Sequence, residues 1–397
     1  MPNEVPAYPE IVVKKHHERR LLKGHLWAFS NELIEVRNDL DAGTIVRIVR
    51  EFDSKPFALA FYHPHSLISA RIISRDVRAT IDKEFLKARI AEAAARRDFL
   101  LRERTAVRLV HSESDLLPGL VIEKYNDIYT FQIVSAAMEK FKPEIIESIK
   151  ELFNPKSIIE KNSSHLRTLE GLPEIEQVVF GDETSTQISD RAGTKFDVSL
   201  VAGQKTGFYL DQMDNRTAIC RYITPESSVL DLFTNAGGFA LNAAIAGAKE
   251  VTAVDSSDST LTSLKQNISL NPNRAAWTIE KADCFEYVKS VEKTFDLIIL
   301  DPPSLAKSKK HLKNAAKAYL DLHRDAIKKL HAGGILATAT CSHHFSREAL
   351  HEVIRDAASD CRRTAVILEK HGAAADHPIH SMMPETEYLR FAIVRVY

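Results

Sequence analysis

From Ser228 to the C-terminus the chain alternates short, almost wholly apolar runs with amphipathic stretches, and this alternation restricts the fold more than any other feature. SVLDLF, EVTAVD, WTIEKAD, FDLIILD and ILATATC read as strands. Between them, GGFALNAAIAGA, SSDSTLTSLKQNISLN, CFEYVKSV and KNAAKAYLDLHRDAIKKLHAGG read as helices, the last ending at its glycines, and SREALHEVIRDAASD follows as another. TAVILEK and YLRFAIVRV close the sheet and lie near enough in sequence to form an antiparallel edge pair. Strands without a polar face must be covered on both sides, and parallel neighbours need a crossover helix between them. The expected fold class is therefore α/β, with a doubly wound, Rossmann-like domain over residues 188–397.

The preceding half reads differently. Residues 10–78 hold short strands (IVVKK, GTIVRIVREF, FALAFYH, SLISARIISR) and one short helix around Arg19–Lys23, the pattern of a small β-barrel. A helix from Ile81 to about Arg104, the strands of AVRLVHSESDLLPGLVIEKYNDIYTFQIV and the helix KFKPEIIESIKELF then describe a small α+β domain. The expected division is 1–78, 79–187 and 188–397, which suits a chain of 397 residues.

Lys+Arg number 53 against 54 Asp+Glu, a net charge of −1, which excludes a polycationic protein but not a local basic face. Two basic clusters stand out: Arg19, Arg20 and Lys23, and the run Lys307, Lys309, Lys310, Lys313 and Lys317. Either is able to track phosphates, and a lysine run is equally what a solvated helix start carries. The N-terminus has no apolar leader core and nothing approaches a membrane-spanning run of about 18 residues. The four cysteines form no CxxC, and the histidines, including His343, His344, His377 and His380, lack metal-ligand spacing and read as loop or surface residues. A soluble cytoplasmic protein without a metal is expected.

In open α/β sheets ligands lie beyond the carboxyl ends of the strands. Here those ends carry Asp231, Phe233, Asn235 and Gly237 on the first strand, Asp255 on the second and Asp283 on the third. The fourth ends in Asp301-Pro302-Pro303-Ser304 and the fifth in Cys341-Ser342. Asp255 stands 18 residues after Gly237, a spacing suited to ribose hydroxyls, but N-A-G-G-F lacks the full G-x-G-x-x-G that cradles a pyrophosphate. A nucleoside cofactor without pyrophosphate, S-adenosylmethionine (SAM), fits this set. Taken singly, the glycines also suit a tight turn and Asp255 a helix cap.

The prolines of the Asp301 loop stiffen the backbone where a substrate base would lie, or simply terminate the strand. Cys341 bears on the chemistry. Carbon-5 of a pyrimidine accepts a methyl group only after a nucleophile has added to carbon-6, and a thiol at a strand end beside the methyl donor is suited to that addition. A free cysteine is also a common core residue.

DLFTNAGGFAL, DPPSLAKSKK, the TCS at 340–342 and GQKTGFYLDQMDNR together resemble the bacterial large-subunit rRNA methyltransferase I family. LLKGHLWAFSNEL resembles the opening of that family's N-terminal PUA domain, SDLLPGLVIEKY its central domain and PETEYLRFAI its closing strands, so the likeness spans nearly the whole chain. The resemblance implies a class I SAM-dependent enzyme, preceded by a PUA β-barrel, that makes 5-methylcytosine in 23S rRNA. It implies that Lys205 to Gln212, with Phe208, Tyr209 and Asp211, wraps the cofactor. Asp231, Phe233, Asn235 and Gly237 would then flank its methionine end, Asp255 the ribose and Asp283 the adenine. Cys341 would be the nucleophile, and Asp301, beside the cofactor, would hydrogen-bond N3 of the base. Pro302, Pro303, Ser304, Lys307, Lys309, Lys310, Arg19, Arg20 and Lys23 would meet the RNA. Leu305 stands where that family carries an aromatic, and Asn235-Ala236 and Met213 replace its Tyr-Thr and Arg. Related proteins of this architecture methylate guanine nitrogens, which would leave Cys341 structural, and a non-catalytic RNA-binding assembly factor is the reading from another class. Monomer and homodimer are both compatible with the sequence.

Overall fold

A computed structural model describes residues 7–201, 208–305, 312–342 and 345–397. The chain divides into two compact units, one comprising residues 1–186, 200–202 and 378–386, the other residues 187–199, 203–377 and 387–397.

In the first unit, β1 (Glu10–Val13), α1 (Glu18–Leu22), β2 (Trp27–Ala28), β3 (Thr44–Arg50), β4 (Pro56–Tyr62) and β5 (Ala70–Ser74) build a five-stranded sheet ordered β1-β3-β4-β5-β2. β1 runs parallel to β3 and the other pairs are antiparallel. At two residues, β2 is too short to leave a periodicity in the sequence. The helix expected to reach Arg104 is shorter: α2 (Lys83–Ala95) starts on the side chain of Asp82, which accepts a hydrogen bond from Phe85 N–H. Beyond it the chain turns so that Arg97, 2% exposed, can pair bidentately with Asp115 at 2.7 Å for both bonds. β6 (Ala106–His111), β7 (Leu120–Tyr125), β8 (Ile128–Ile133), α3 (Ala136–Lys140), α4 (Lys142–Phe153), β9 (Ser157–Asn162) and β10 (Ile175–Phe180) complete a second sheet, ordered β10-β9-β8-β7-β6. Leu59, Phe61 and Ile73 of the first sheet share one apolar core with Leu86, Ile90, Ile122 and Phe131. The expected boundary at residue 78 falls in the connection between β5 and α2, within this one unit.

Residues 378–386 also belong here. Met383 is fully buried in the core of the first sheet, and Leu26 N–H donates to its Sδ at 3.3 Å.

At the start of the second unit, β11 (Ser185–Ser189) and β12 (Lys195–Ser199) pair with each other. α5 (Met213–Ile219) precedes the main sheet of β13 (Ser228–Leu232), β14 (Glu250–Asp255), β15 (Ala276–Lys281), β16 (Phe295–Leu300), β17 (Leu330–Thr340), β18 (Ala365–His371) and β19 (Arg390–Val396). Their order is β15-β14-β13-β16-β17-β19-β18. The first five are parallel, and β19 runs antiparallel to both β17 and β18, as the closeness of the last two segments suggested. The connecting helices are α6 (Gly238–Ile245), α7 (Asp258–Leu270), α8 (Cys284–Ser290), α9 (Leu312–Lys328) and α10 (Arg347–Asp360). α9 does not end at the glycines: it stops at Lys328, and Gly333, at φ +79°, lies inside β17, whose Leu330 already pairs with Phe295. His377, read as a loop or surface residue, lies in the loop between β18 and β19 but is 4% exposed there, and its Nδ1 is 2.8 Å from Asp376 Oδ1.

Candidate active site

β14 and β16 flank β13 on opposite sides, so the chain reverses its direction of travel through the sheet at β13 and opens a crevice at the carboxyl ends. A cavity of about 420 Å³ occupies it, within the usual range for a small-molecule site.

The turn after β13 is strained to shape this crevice. Phe233 and Asn235 adopt φ of +63° and +52°, and Gly237 +87°. Left-handed backbone at an aromatic residue persists only where its surroundings over-determine it. They do here: Phe233 N–H donates to buried Cys284 Sγ at 3.2 Å, and Asn235 N–H to Asp255 Oδ2 at 3.0 Å. Asp231 holds the same turn from below, its Oδ2 accepting from Thr234 Oγ1 at 2.7 Å and Ala240 N–H at 3.0 Å. Burial pushes the Asp231 carboxyl up to about 7. Asp231 and Gly237 therefore buttress the turn and do not line the cavity, while Phe233, Asn235 and Asp255 do. The other Asp255 oxygen accepts from Ser257 N–H at 3.0 Å, and each oxygen keeps a second lone pair. Asp283 is also outside the lining: its Oδ1 caps α8 by accepting from Phe285 and Glu286 N–H.

Asp301 and Cys341 follow adjacent parallel strands, β16 and β17, so both reach the same edge. Ser304 Oγ and Ser342 Oγ are 2.9 Å apart, and Tyr319 OH is 2.9 Å from Thr340 Oγ1. These bonds tie the DPPS loop to the TCS turn. Asp301, Pro302, Pro303 and Cys341 line the cavity together. Burial, with Asp211 adding to it and Arg216 and a Gln212 hydrogen bond opposing it, pushes Asp301 up to about 7. Burial and the carboxylates of Asp301 and Asp211 push the Cys341 thiol up to about 11. At neutral pH Cys341 is held as a thiol, and Asp301 keeps its proton to much higher pH than a free carboxyl does.

Phe208, Tyr209 and Asp211 line the same space, with Asp211 Oδ2 accepting from Tyr388 OH at 2.7 Å. Lys205, the start of the expected cofactor wrap, lies outside the described residues, as do Lys307, Lys309, Lys310, His343 and His344. Besides Phe208, Tyr209 and Asp211, four more lining residues stand at no strand end: Gln212 and Arg216 from the segment before the sheet, and Tyr388 and Leu389 from the approach to β19. Only the motif GQKTGFYLDQMDNR signals the first two. Among the described residues, no cluster of His, Cys, Asp and Glu could hold a metal, and no helix is long and apolar enough to cross a membrane.

The N-terminal basic cluster is smaller than the sequence suggests. Arg19 and Lys23 are exposed. Arg20 is turned inward, its Nη2 donating to both Glu32 oxygens at 2.8 Å and to Trp27 O, with its guanidinium over the Phe29 ring. Its Nη2 is committed to these partners, and the side chain, 33% exposed, keeps its Nε and Nη1 donors.

Comparison with known proteins agrees with this architecture. Residues 11–75 match the PUA-like domain family, and residues 216–326 match the family described as conserved hypothetical protein 95. A crystal structure of SMU.776, described provisionally as a methyltransferase and complexed with SAH, superposes with a TM-score of 0.84 at 20% identity, over 98% of this chain and 100% of that one, and so shares the fold. The ribosomal RNA large subunit methyltransferase I of Tolumonas auensis is 38% identical over 394 residues, 97% of this chain and 98% of its own. That of Aeromonas salmonicida is 38% identical over the same shares. Identity of this level along nearly the full length, with the strand-end residues gathered around one crevice, means that the chain belongs to the ribosomal RNA large subunit methyltransferase I family.

Proposed function

We propose that this protein is a SAM-dependent methyltransferase of large-subunit ribosomal RNA and that it methylates carbon-5 of a cytosine through Cys341. The observation that carries the reading is the sharing of one cavity by Asp255, suited to a ribose, and by Asp301 and Cys341, suited to a base. In this scheme Asp255 takes the ribose hydroxyls, Asp283 offers its uncapped oxygen to the adenine, and Phe208, Tyr209, Asp211, Phe233 and Asn235 enclose the rest of the cofactor. Asp231 and Gly237 contribute by holding the turn.

The Cys341 thiolate adds to carbon-6 of the flipped-out base, and protonated Asp301 donates to N3, where the displaced electron pair accumulates. SAM, when bound, would supply the methyl group that carbon-5 takes and would leave as S-adenosylhomocysteine. Loss of the carbon-5 proton to solvent restores the C5–C6 double bond and expels the thiolate, and the N3 proton returns to Asp301. Pro302, Pro303 and Ser304 form the rim on which the base rests, with Lys307, Lys309 and Lys310 following in sequence toward RNA phosphates. Residues 1–78 act as the RNA-binding domain, through Arg19 and Lys23 more than Arg20, with 79–187 as a central domain and 188–397 as the catalytic one.

One observation favours a second acceptor, a guanine nitrogen: a thiol pushed up to about 11 is a poor resting nucleophile. Large-subunit rRNA carrying 5-fluorocytosine, incubated with protein and SAM, separates the two. A covalent adduct that disappears in Cys341→Ala is expected. Its absence with the wild type, alongside methyl transfer to ordinary rRNA that survives Cys341→Ala, would overturn the cytosine mechanism in favour of guanine.

A further inference from the structure

Among the described residues, Arg216 is a cation without a bonded counter-ion. It lies on α5, is 5% exposed, and lines the cavity. Its Nε and Nη1 are shielded from solvent and meet no hydrogen-bond acceptor. Burying a charge without partners is costly, and proteins keep such an arrangement where a ligand completes it. The guanidinium is held in place on both sides. Its carbon lies 4.4 Å from the centroid of Phe208 and 6.0 Å from that of Phe239. A Cβ at Gly238 would fall 2.4 Å from its Nε, so the second glycine of the turn makes room for this side chain.

The nearest protein carboxylates do not satisfy it. Asp190, Asp211, Asp231 and Asp301 all exert a field on Arg216, yet its Nε and Nη1 take a hydrogen bond to none of them. Asp231 is bonded to Thr234 and Ala240, Asp190 to Ala192, Thr194 and Asn242, and Asp211 to Tyr388. In the SAM reading the base, and not a phosphate of the RNA, enters this cavity. The remaining anion is the carboxylate of the cofactor's amino-acid end. With the ribose at Asp255 and the sulfonium facing Cys341, that end would fall toward the part of the lining that holds Arg216, Asp211 and Asp301. A zwitterion requires such a pairing of one cation with nearby carboxylates.

We infer that Arg216 binds the α-carboxylate of SAM, while the Asp211 side of the cavity receives its ammonium group. This rests on the SAM reading above and assigns a cofactor contact that no strand-end residue supplies. The test compares S-adenosylhomocysteine with its decarboxylated analogue, 5′-deoxy-5′-(3-aminopropylthio)adenosine, by calorimetry on the full chain. The wild type should prefer the carboxylated ligand by roughly 30-fold or more, the range for a buried charge pair that loses one partner. Arg216→Met should erase that preference, leaving binding of the analogue within about threefold of wild type, and Arg216→Lys should restore part of it. An equal loss for both ligands in folded Arg216→Met, or equal binding of both by the wild type, would overturn the assignment. The wild-type preference stands as a measurement even if the methionine variant fails to fold. Wild type that binds neither ligand would instead overturn the SAM reading, and the assignment with it.

Discussion

Replacing Asp301 with asparagine separates two titrations that the active site couples. In the cytosine mechanism the reactive form has Asp301 protonated and Cys341 ionised, yet Asp301 titrates at about 7 and Cys341 at about 11. Below about pH 7 the Asp301 proton is in place and the thiolate fraction grows tenfold per pH unit. Above it, loss of that proton offsets the gain. With about four pH units between the two groups, the reactive fraction levels off near one part in about 10⁴, a penalty of about 5 kcal/mol carried by the resting enzyme. The amide of the Asp301→Asn variant would be neutral at every pH and would still present an N–H to N3. Its rate, lower in absolute terms, should therefore keep rising where the wild type flattens. Removing the Asp301 charge also eases thiol ionisation, which acts in the same direction. The variant-to-wild-type ratio should grow by roughly 50-fold from about pH 7 to about pH 9. Single-turnover transfer of labelled methyl groups to rRNA across that range measures it. A ratio that stays flat, or falls, would refute the pairing of a protonated Asp301 with a Cys341 thiolate.

Two further substitutions test the scaffold. Asp231, raised from an unfolded 3.8 to about 7, binds its proton more tightly folded than unfolded, so its contribution is greatest at low pH and is lost as pH rises through about 7. Asp231→Asn keeps an oxygen for Thr234 and Ala240 and carries no charge; its melting temperature should gain on the wild type by several degrees between about pH 5 and about pH 8. A melting difference that is constant or shrinks with pH would contradict that origin of the shift. Met383→Ala should cost about 2–4 kcal/mol in urea unfolding, because the side chain is fully buried. A cost below about 0.5 kcal/mol would mean that residues 378–386 are not part of the first unit's core.

Much of the site was legible because its residues sit at positions that a local pattern marks. A parallel strand announces itself by an unbroken apolar run, its carboxyl end is where that run stops, and Asp255, Asp301 and Cys341 stand at such stops. What each side chain does there was not legible. Asp231 and Asp283 occupy equivalent stops, yet one braces a turn and the other caps a helix. The difference lies in the left-handed backbone at Phe233 and Asn235 and in the start of α8, which no periodicity encodes. Arg216 was less visible still. On a seven-residue helix, one arginine among polar and apolar neighbours carries no sign that its guanidinium will be buried against Phe208.

By itself, then, the sequence determined the alternation of strand and helix, the class of sheet, and the chemical character of its ligand edge. These follow from side-chain spacing along the chain, which backbone geometry converts directly into buried and exposed faces. Tertiary structure alone decided the return of residues 378–386 to the first unit and the shared core beneath its two sheets. It also decided the pairing of Arg20 with Glu32 and the raised titrations of Asp231, Asp301 and Cys341. Each of these depends on which groups lie nearby in space and on how much water they exclude, and spacing along a chain does not record either quantity.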